Sequence, residues 1–259
     1  METVVVERNG PVAVVTLNRP DRHNAMTPTM IKELAAVFTA LSDDGDARVV
    51  ILTGLGRSFC AGADLSFMRA AADYTMEENI ADGEAIFDLM LAVDRCSKPV
   101  IGRVNGAAIG GGMGLVSCCD CVVAVEQAQF AFSEVRLGIV AATISPFVLA
   151  KVPPSQAREL LLTGERFTAH HARHVGLVHH VVADEAALDA KVEERVAAFL
   201  KGAPGAQAIA KALIKELAGQ KHDELRARTS RLIAERRASD EGREGMSAFL
   251  EKREPWWQS

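Results

Sequence analysis

Two glycine-rich turns, about fifty residues apart, carry the residues best suited to chemistry. Residues 58–65 read Ser-Phe-Cys-Ala-Gly-Ala-Asp-Leu, and residues 105–114 read Asn-Gly-Ala-Ala-Ile-Gly-Gly-Gly-Met-Gly. Each turn follows an apolar run typical of a β-strand and precedes a segment with helical character. Because glycine and alanine leave backbone N–H groups accessible, one N–H from each turn can converge on a single carbonyl oxygen. The pattern predicts an oxyanion hole, which stabilises negative charge developing on that oxygen.

The segments around these turns alternate between strands and helices. Asn9-Gly10 lies between two valine-rich runs and predicts a β-hairpin over 3–17. Thr27 and Pro28 favour the start of a helix. Further strands are predicted near 48–53, 99–104, 121–125 and 129–132, with helices near 80–96 and from Gly111. From about residue 153 the pattern is mostly helical, and the whole predicts an α/β fold.

Composition and charge exclude several classes of protein. The chain has 259 residues, of which 49% are apolar and 24% charged, as is usual for a globular protein with a sizeable core. Its formal net charge of −5 argues against general nucleic-acid binding, which relies on a basic surface. The N-terminus contains Glu2 and no basic segment, and no apolar run reaches about 20 residues. We therefore predict no secretory signal, no membrane span and a cytoplasmic location.

Clustered cysteines and histidines raise the question of a metal site. Cys118, Cys119 and Cys121 lie in an apolar stretch without the ligand spacing of a zinc site, so buried free thiols are the favoured interpretation. The histidines between 170 and 180 are interpreted as part of a solvated surface. We predict no metal.

Six further segments, in order along the chain, resemble the crotonase (enoyl-CoA hydratase/isomerase) superfamily together with the two turns. They are residues 17–26, 119–120, 128–138, 162–167, 172–178 and 243–253. The resemblance implies an α/β fold in which strand–strand–helix (ββα) units form a spiral. The spiral would be followed by a helical C-terminal region that packs against neighbouring subunits. The clearest break in the sequence, at 202–205, divides the predicted core with the active site, 1–201, from this oligomerisation region, 202–259. The resemblance further implies a homo-oligomer, either a trimer or a dimer of trimers.

The resemblance also implies the activity, enoyl-CoA hydration, and the catalytic groups. The oxyanion donors would be the N–H groups of Ala63 and Gly111. Better-known hydratases of the family use two glutamates, which fall at positions 114 and 134 of this chain. Here these residues are Gly114 and Glu134, so Glu134 is the single candidate acid/base. Its apolar sequence neighbours predict a raised pKa, and no cofactor is implied beyond the coenzyme A of the substrate.

The residues that the resemblance implies for coenzyme A binding lie in two parts of the chain. Those near the two turns are Arg22, Ala25, Ala61, Ala63, Asp64, Leu65, Ser66 and Gly111. Asp64 also matches a position that fixes the loop. Phe249 and Lys252 match residues that reach the nucleotide end, often from a neighbouring subunit. A solvated lysine is the alternative interpretation of Lys252.

A narrower likeness, carried by residues 110–120, 133–138 and 144–148, is to bacterial methylglutaconyl-CoA and isohexenylglutaconyl-CoA hydratases of leucine and terpenoid catabolism. Their substrates carry a second carboxylate. Arg136 is two residues from Glu134, and alternation in an extended segment would place both on one side. Our hypothesis is that Arg136 or a nearby cation pairs with that carboxylate. The alternative is a surface or intersubunit arginine.

Other activities stay open or are excluded at this point. A Δ3,Δ2-enoyl-CoA isomerase is the main alternative, because single-carboxylate relatives move a proton between two carbons. A non-catalytic relative that binds thioesters or RNA is a more distant alternative. The excess of acidic over basic residues does not favour RNA binding. Neither a G-x-G-x-x-G frame nor a G-x-S-x-G motif is present, which excludes dinucleotide-binding and serine-hydrolase readings of the glycines.

Overall fold

Strands form two sheets in the computed structural model, which describes residues 1–258 except the side chain of Asp223. The larger sheet has the order β1-β2-β3-β5-β7-β10 and the smaller has the order β4-β6-β8-β9. The strands are β1 (Val4–Asn9), β2 (Val12–Leu17), β3 (Val49–Gly54), β4 (Ser58–Cys60), β5 (Val100–Val104), β6 (Ala107–Ile109), β7 (Cys121–Val125), β8 (Gln129–Ala131), β9 (Phe167–Thr168) and β10 (His180–Val182).

Helices follow or cover these strands. They are α1 (Pro28–Asp43), α2 (Leu65–Ala71), α3 (Met76–Arg95), α4 (Gly111–Cys118), α5 (Ser145–Leu149), α6 (Pro154–Thr163), α7 (Ala169–His174), α8 (Glu185–Leu200), α9 (Pro204–Leu217), α10 (His222–Ala238) and α11 (Asp240–Glu251). Short 3-10 helices lie at Pro20–Arg22, Ser133–Leu137 and Trp256–Gln258.

A repeated pair of strands builds the spiral. In each of the pairs β3–β4, β5–β6 and β7–β8, the first strand joins the larger sheet and the second joins the smaller one. The pairing within the larger sheet is parallel from β2 to β10. Its central strands β5 and β7 are almost entirely buried, as expected for a sheet covered on both faces. Each strand pair therefore ends in a turn at the same edge of the molecule, where the two glycine-rich segments lie.

Local sequence signals account for most of the element boundaries. The hairpin predicted over 3–17 is β1 and β2, with Gly10 at φ +55° in its turn. The helix predicted at Thr27 is α1, whose N-cap hydroxyl accepts a hydrogen bond from the Met30 N–H. The helix predicted at 80–96 is α3, which begins earlier because Thr75 and Glu78 form a capping box. Helix α2 is the segment of helical character predicted after the first glycine-rich turn, and the side chain of Asp64 caps its start.

The C-terminal helices α9 to α11 are joined to the rest of the chain by polar contacts. The guanidinium of Arg48 donates to the carbonyls of Leu200, Gly202 and Trp257. The ammonium of Lys211 lies 2.6 Å from Asp120 Oδ2. The predicted boundary near residue 202 coincides with the turn before α9, and its role as a domain boundary stays a prediction.

The cysteines are buried and the histidines lie toward the surface, as predicted for each. All five cysteines are buried and free, and burial raises the pKa of Cys60 and of Cys119 to about 12. The histidines of 170–180 occupy exposed or half-exposed positions. Across residues 1–258, leaving aside Asp223, no group of three or more His, Cys, Asp or Glu side chains is placed to hold a metal ion. No helix in this described part is long and apolar enough to cross a bilayer.

Candidate active site

The first glycine-rich turn is held by a single parallel bridge between Met26 and Ala63. The Met26 N–H donates to the Gly62 carbonyl at 2.7 Å, and the Asp64 N–H donates to the Met26 carbonyl at 2.9 Å. In such a bridge the residue between the two bonded groups directs its own N–H away from the partner. The Ala63 N–H therefore points away from Met26.

The second turn ends at Gly111, the first residue of α4. An N–H in this position has no acceptor within its own helix, and the helix dipole favours negative charge there. Gly110 has φ +52°, a conformation that favours glycine, and its N–H donates to the Ala131 carbonyl at 2.9 Å. A Cβ at Gly110 would lie 3.8 Å from the Gly62 Cα. The structure thus brings the two predicted donor turns side by side.

Glu134 lies next to the second turn, in the 3-10 helix Ser133–Leu137. Its Oε1 is 3.4 Å from the position that a Cβ at Gly110 would occupy. Its Oε2 is buried and has no hydrogen-bond partner among the described residues. Burial raises the pKa of Glu134 above its usual value of 4.5. A carboxyl group with a raised pKa and an unpartnered oxygen is suited to take up and release a proton.

Apolar side chains fill the space beside Gly114. A Cβ at this position would lie 2.5 Å from Ile144 Cγ2 and 2.9 Å from both Sδ and Cε of Met90. Ile144 and Met90 are themselves buried. A carboxylate at position 114 would therefore need both side chains to move.

A groove of about 630 Å³ runs along the first turn. Of the coenzyme A residues predicted near the turns, all except Gly111 line it: Arg22, Ala25, Ala61, Ala63, Asp64, Leu65 and Ser66. The groove is also lined by residues that sequence reasoning missed as binding residues: Arg19, Asp21, His23 and Arg69. Arg19, Asp21 and His23 belong to the quoted 17–26 motif, which was the signal available for them. Arg69 had none, because no motif or spacing marked a binding residue in the helical segment after the first turn.

Asp64 ties the loop beside this groove to helix α2 and to Arg19. It is the N-cap of α2, where it accepts hydrogen bonds from the Ser66 N–H and hydroxyl. Its other oxygen lies 2.9 Å from the Arg19 guanidinium. The Ser66 hydrogen bonds, aided by Arg19, lower the pKa of Asp64 to about 2. Asp64 is therefore held as a carboxylate across the neutral range and is not suited to accept a proton from water.

The alternation argument for Arg136 was wrong. Residues 133–137 form a 3-10 helix with about three residues per turn, so residues two apart do not share a side. The Arg136 Nε donates to the Thr163 carbonyl at 3.0 Å. The backbone therefore does not place Arg136 on the same side as Glu134, and this argument for a contact between Arg136 and a distal carboxylate fails.

Phe249 and Lys252 lie at the end of α11 and do not line the groove. The Phe249 side chain is 82% exposed. Within one chain, the structure does not bring these two residues to the other predicted binding residues.

Comparison with known proteins places the chain in a family. A family model described as "Enoyl-CoA hydratase/isomerase" matches residues 7–259. The putative enoyl-CoA hydratase of Thermus thermophilus is 37% identical over 97% of this chain and 99% of its own length. The crotonyl-CoA hydratase of Syntrophomonas wolfei is 36% identical, over 97% and 96% respectively.

Solved structures agree with these relatives. An enoyl-CoA hydratase from Shewanella pealeana superposes with a TM-score of 0.95 at 38% identity, covering 98% of this chain and 96% of that one. Pseudomonas aeruginosa AtuE gives a TM-score of 0.96 at 36% identity, covering 99% and 100%. The predicted α/β crotonase fold is confirmed. This chain belongs to the enoyl-CoA hydratase/isomerase family, the crotonase superfamily indicated by its motifs, and it is an enoyl-CoA hydratase.

Proposed function

We propose that this hydratase adds water with one carboxylate, that of Glu134, beside an oxyanion hole formed by the N–H groups of Ala63 and Gly111. The observation that carries the proposal is the packing at Gly114, where Ile144 and Met90 occupy the space that a second carboxylate would need. The unpartnered Oε2 of Glu134 supports it as well, because a buried oxygen without a partner can accept a hydrogen bond from water.

One carboxylate is sufficient for the proton balance of hydration. Glu134 accepts a proton from water as the water oxygen bonds to C3 of the enoyl group. The electron pair of the C2–C3 double bond moves toward the thioester, and its oxygen gains negative charge that the N–H groups of Ala63 and Gly111 stabilise. Glu134 then returns the proton to C2. The carboxylate is regenerated, and one molecule of water has been added.

The groove beside the first turn is proposed to hold the coenzyme A part of the substrate. Its basic side chains Arg22 and Arg69 supply positive charge for phosphate groups, while Ala25, Ala61 and Ala63 leave room for the pantetheine chain. No further cofactor enters this scheme.

An oligomer would complete the nucleotide end of this groove. Phe249 and the neighbouring Leu250 are 82% and 78% exposed, which is unusual for large apolar side chains. We propose that they and Lys252 reach the groove of a neighbouring subunit in a trimer or a dimer of trimers. The cytoplasmic location stays a prediction.

The proposal extends to the acyl group of the substrate and to an isomerisation that would compete with hydration. The sequence likeness favours 3-methylglutaconyl-CoA over crotonyl-CoA as substrate. The lone carboxylate favours Δ3,Δ2-isomerisation as a second candidate, because that reaction needs only one base to move a proton between C4 and C2.

The test is to follow the loss of conjugated-thioester absorbance with crotonyl-CoA and with 3-methylglutaconyl-CoA, for the wild type and for Glu134→Gln. Hydration by the wild type that disappears in Glu134→Gln supports the single-carboxylate mechanism. A 3-enoyl-CoA incubated in deuterated water distinguishes the isomerase, which would form the conjugated isomer without adding water. If Glu134→Gln hydrates at the wild-type rate, the proposed role of Glu134 is wrong.

A further inference from the structure

Met26 contacts both turns that supply the proposed oxyanion donors. Its backbone N–H and carbonyl bond to Gly62 and Asp64, the residues on either side of Ala63. Its thioether lies against the other turn, since a Cβ at Gly111 would be 2.9 Å from Met26 Cε and 3.5 Å from Met26 Sδ. One residue therefore spans the two donors, and it is only 3% exposed.

The backbone of Met26 is itself held firmly. On its C-terminal side Thr27 caps helix α1. On its N-terminal side His23 and Asn24 adopt positive φ angles of 51° and 54°, which non-glycine residues seldom do. The fully buried Asn24 side chain maintains this turn. It accepts from the Arg19 N–H at 2.9 Å and donates to the carbonyls of Leu55 and Ser58 at 3.0 and 2.8 Å.

We infer that Met26 is a positioning residue that sets the distance between the Ala63 and Gly111 N–H groups. The inference rests on the oxyanion hole proposed above. The backbone of Met26 fixes the Ala63 turn relative to α1, and its thioether limits how closely the start of α4 can approach that turn. An oxyanion hole acts only when both donors meet the same oxygen, and a misplacement of about 1 Å can cost about 100-fold in rate.

The inference predicts that truncating Met26 lowers kcat and leaves KM nearly unchanged. Met26 does not line the coenzyme A groove. In Met26→Ala, we expect kcat to fall by about 10- to 100-fold while KM stays within about threefold. Met26→Leu keeps most of the side-chain volume and should retain more than half of the wild-type kcat.

The matched control is Met30→Ala. Met30 is also a buried methionine, four residues further on in the first turn of α1, and it is not among the nearest neighbours of Gly62, Gly110 or Gly111. Its truncation should lower the urea midpoint at least as much as Met26→Ala does, and it should leave kcat within about threefold of the wild type.

The absorbance of a bound chromophoric thioester measures directly how strongly the oxyanion hole polarises the thioester carbonyl. Polarisation of the thioester carbonyl shifts the absorbance of bound 4-(dimethylamino)cinnamoyl-CoA to longer wavelength. The wild type and Met30→Ala should show the full shift, and Met26→Ala should show less than half of it at saturation.

A double variant tests the contact with Gly111. In the wild type, Gly111→Ala forces the new methyl against Met26 Cε, whereas in Met26→Ala the same methyl enters vacated space. We expect Met26→Ala/Gly111→Ala to have at least about three times the kcat of Met26→Ala, a departure from additivity that indicates direct coupling.

The outcomes separate the two proposals. If the wild type itself gives no absorbance shift, the oxyanion hole is wrong and the inference falls with it. If the wild type gives the shift and Met26→Ala keeps it in full, the oxyanion hole is supported but Met26 does not position it. The same conclusion follows if Met30→Ala loses as much kcat as Met26→Ala. If Met26→Ala does not fold, the smaller truncation Met26→Val replaces it, and a Met26→Val that keeps both the wild-type kcat and the full absorbance shift overturns the inference.

Discussion

Two carboxylates of the same site lie in opposite surroundings. Asp64, beside the thioester end, accepts hydrogen bonds from Ser66 and pairs with Arg19, and its pKa falls to about 2. Glu134, beside the second turn, is half-buried with its buried Oε2 unpartnered among the described residues, and its pKa is raised. The negative charge of Asp64 is compensated by its hydrogen bonds and ion pair, whereas a charge on Glu134 would not be.

Under the proposed mechanism, the contrast divides two tasks within one site. The thioester end would keep fixed dipoles in place, and the ion pair and hydrogen bonds of Asp64 suit that task. The acyl end would take up and release a proton, a task that suits a carboxyl group whose surroundings stabilise neither protonation state strongly.

The largest effect is expected when the proton-transfer group is removed. Glu134→Gln should lower kcat by about 10²- to 10⁴-fold with little change in KM, because the coenzyme A groove is untouched. Steady-state hydration kinetics measure this, with the exposed Glu165→Gln as control. A variant with at least a tenth of the wild-type kcat would contradict the role of Glu134.

Glu134→Gln should also change the pH dependence of stability. Since the folded-state pKa of Glu134 is raised, the folded protein binds more protons than the unfolded chain above pH 4.5, and stability falls as the pH rises through that region. The variant should gain stability relative to the wild type as the pH increases from 4 to 7, in urea unfolding. An unchanged difference across this range would show that Glu134 is not destabilised by ionisation.

A smaller effect is expected at the thioester end. Asp64→Asn removes the ion pair with Arg19 and should lower the free energy of unfolding by about 1–3 kcal/mol at pH 7. Because the pKa of Asp64 is lowered from 3.8 to about 2, the advantage of the wild type should be complete above 3.8 and disappear as the pH falls through 2. Asp21→Asn, an exposed change in the same groove, is the control and should have little effect.

The packing beside Gly114 can be tested with two identical substitutions. Gly114→Ala should destabilise by about 1–3 kcal/mol, because its Cβ would meet Ile144 and Met90. Gly83→Ala, within α3, would meet only Thr143 Cγ2 at 3.8 Å and should stabilise by about 0.5–1 kcal/mol. Chemical denaturation of both variants gives the comparison. Equal effects would mean that the space beside Gly114 is open to a second carboxylate.

The smallest effect is expected at Arg136. Its guanidinium is engaged by the Thr163 carbonyl, so Arg136→Ala should change KM by less than about threefold, and equally for crotonyl-CoA and 3-methylglutaconyl-CoA. A KM increase of about tenfold for the dicarboxylic substrate alone would restore the hypothesis that Arg136 contacts its distal carboxylate.

Much of the fold followed from local patterns. Asn9-Gly10 between valine runs specifies a hairpin, and Thr27-Pro28 specifies a helix start, because the necessary hydrogen bonds form between near neighbours. Helix α2 was predicted only as a segment of helical character without bounds, because a short helix fixed mainly by Asp64 and Ser66 has little periodicity of its own. The segment after Ser133 was wrongly taken as extended, since its five residues carry no pattern that distinguishes a strand from a 3-10 helix.

By itself, the sequence determined the family, the α/β order of elements and the two turns whose N–H groups can bind an oxygen. Only the tertiary structure decided which side chains surround those turns. Met26 and Gly111 are 85 positions apart (111 minus 26), and Met90, Gly114 and Ile144 come from three different helical segments or their ends. Such contacts depend on how the helices pack against the two sheets, and that packing is not encoded in the spacing of residues along any one segment.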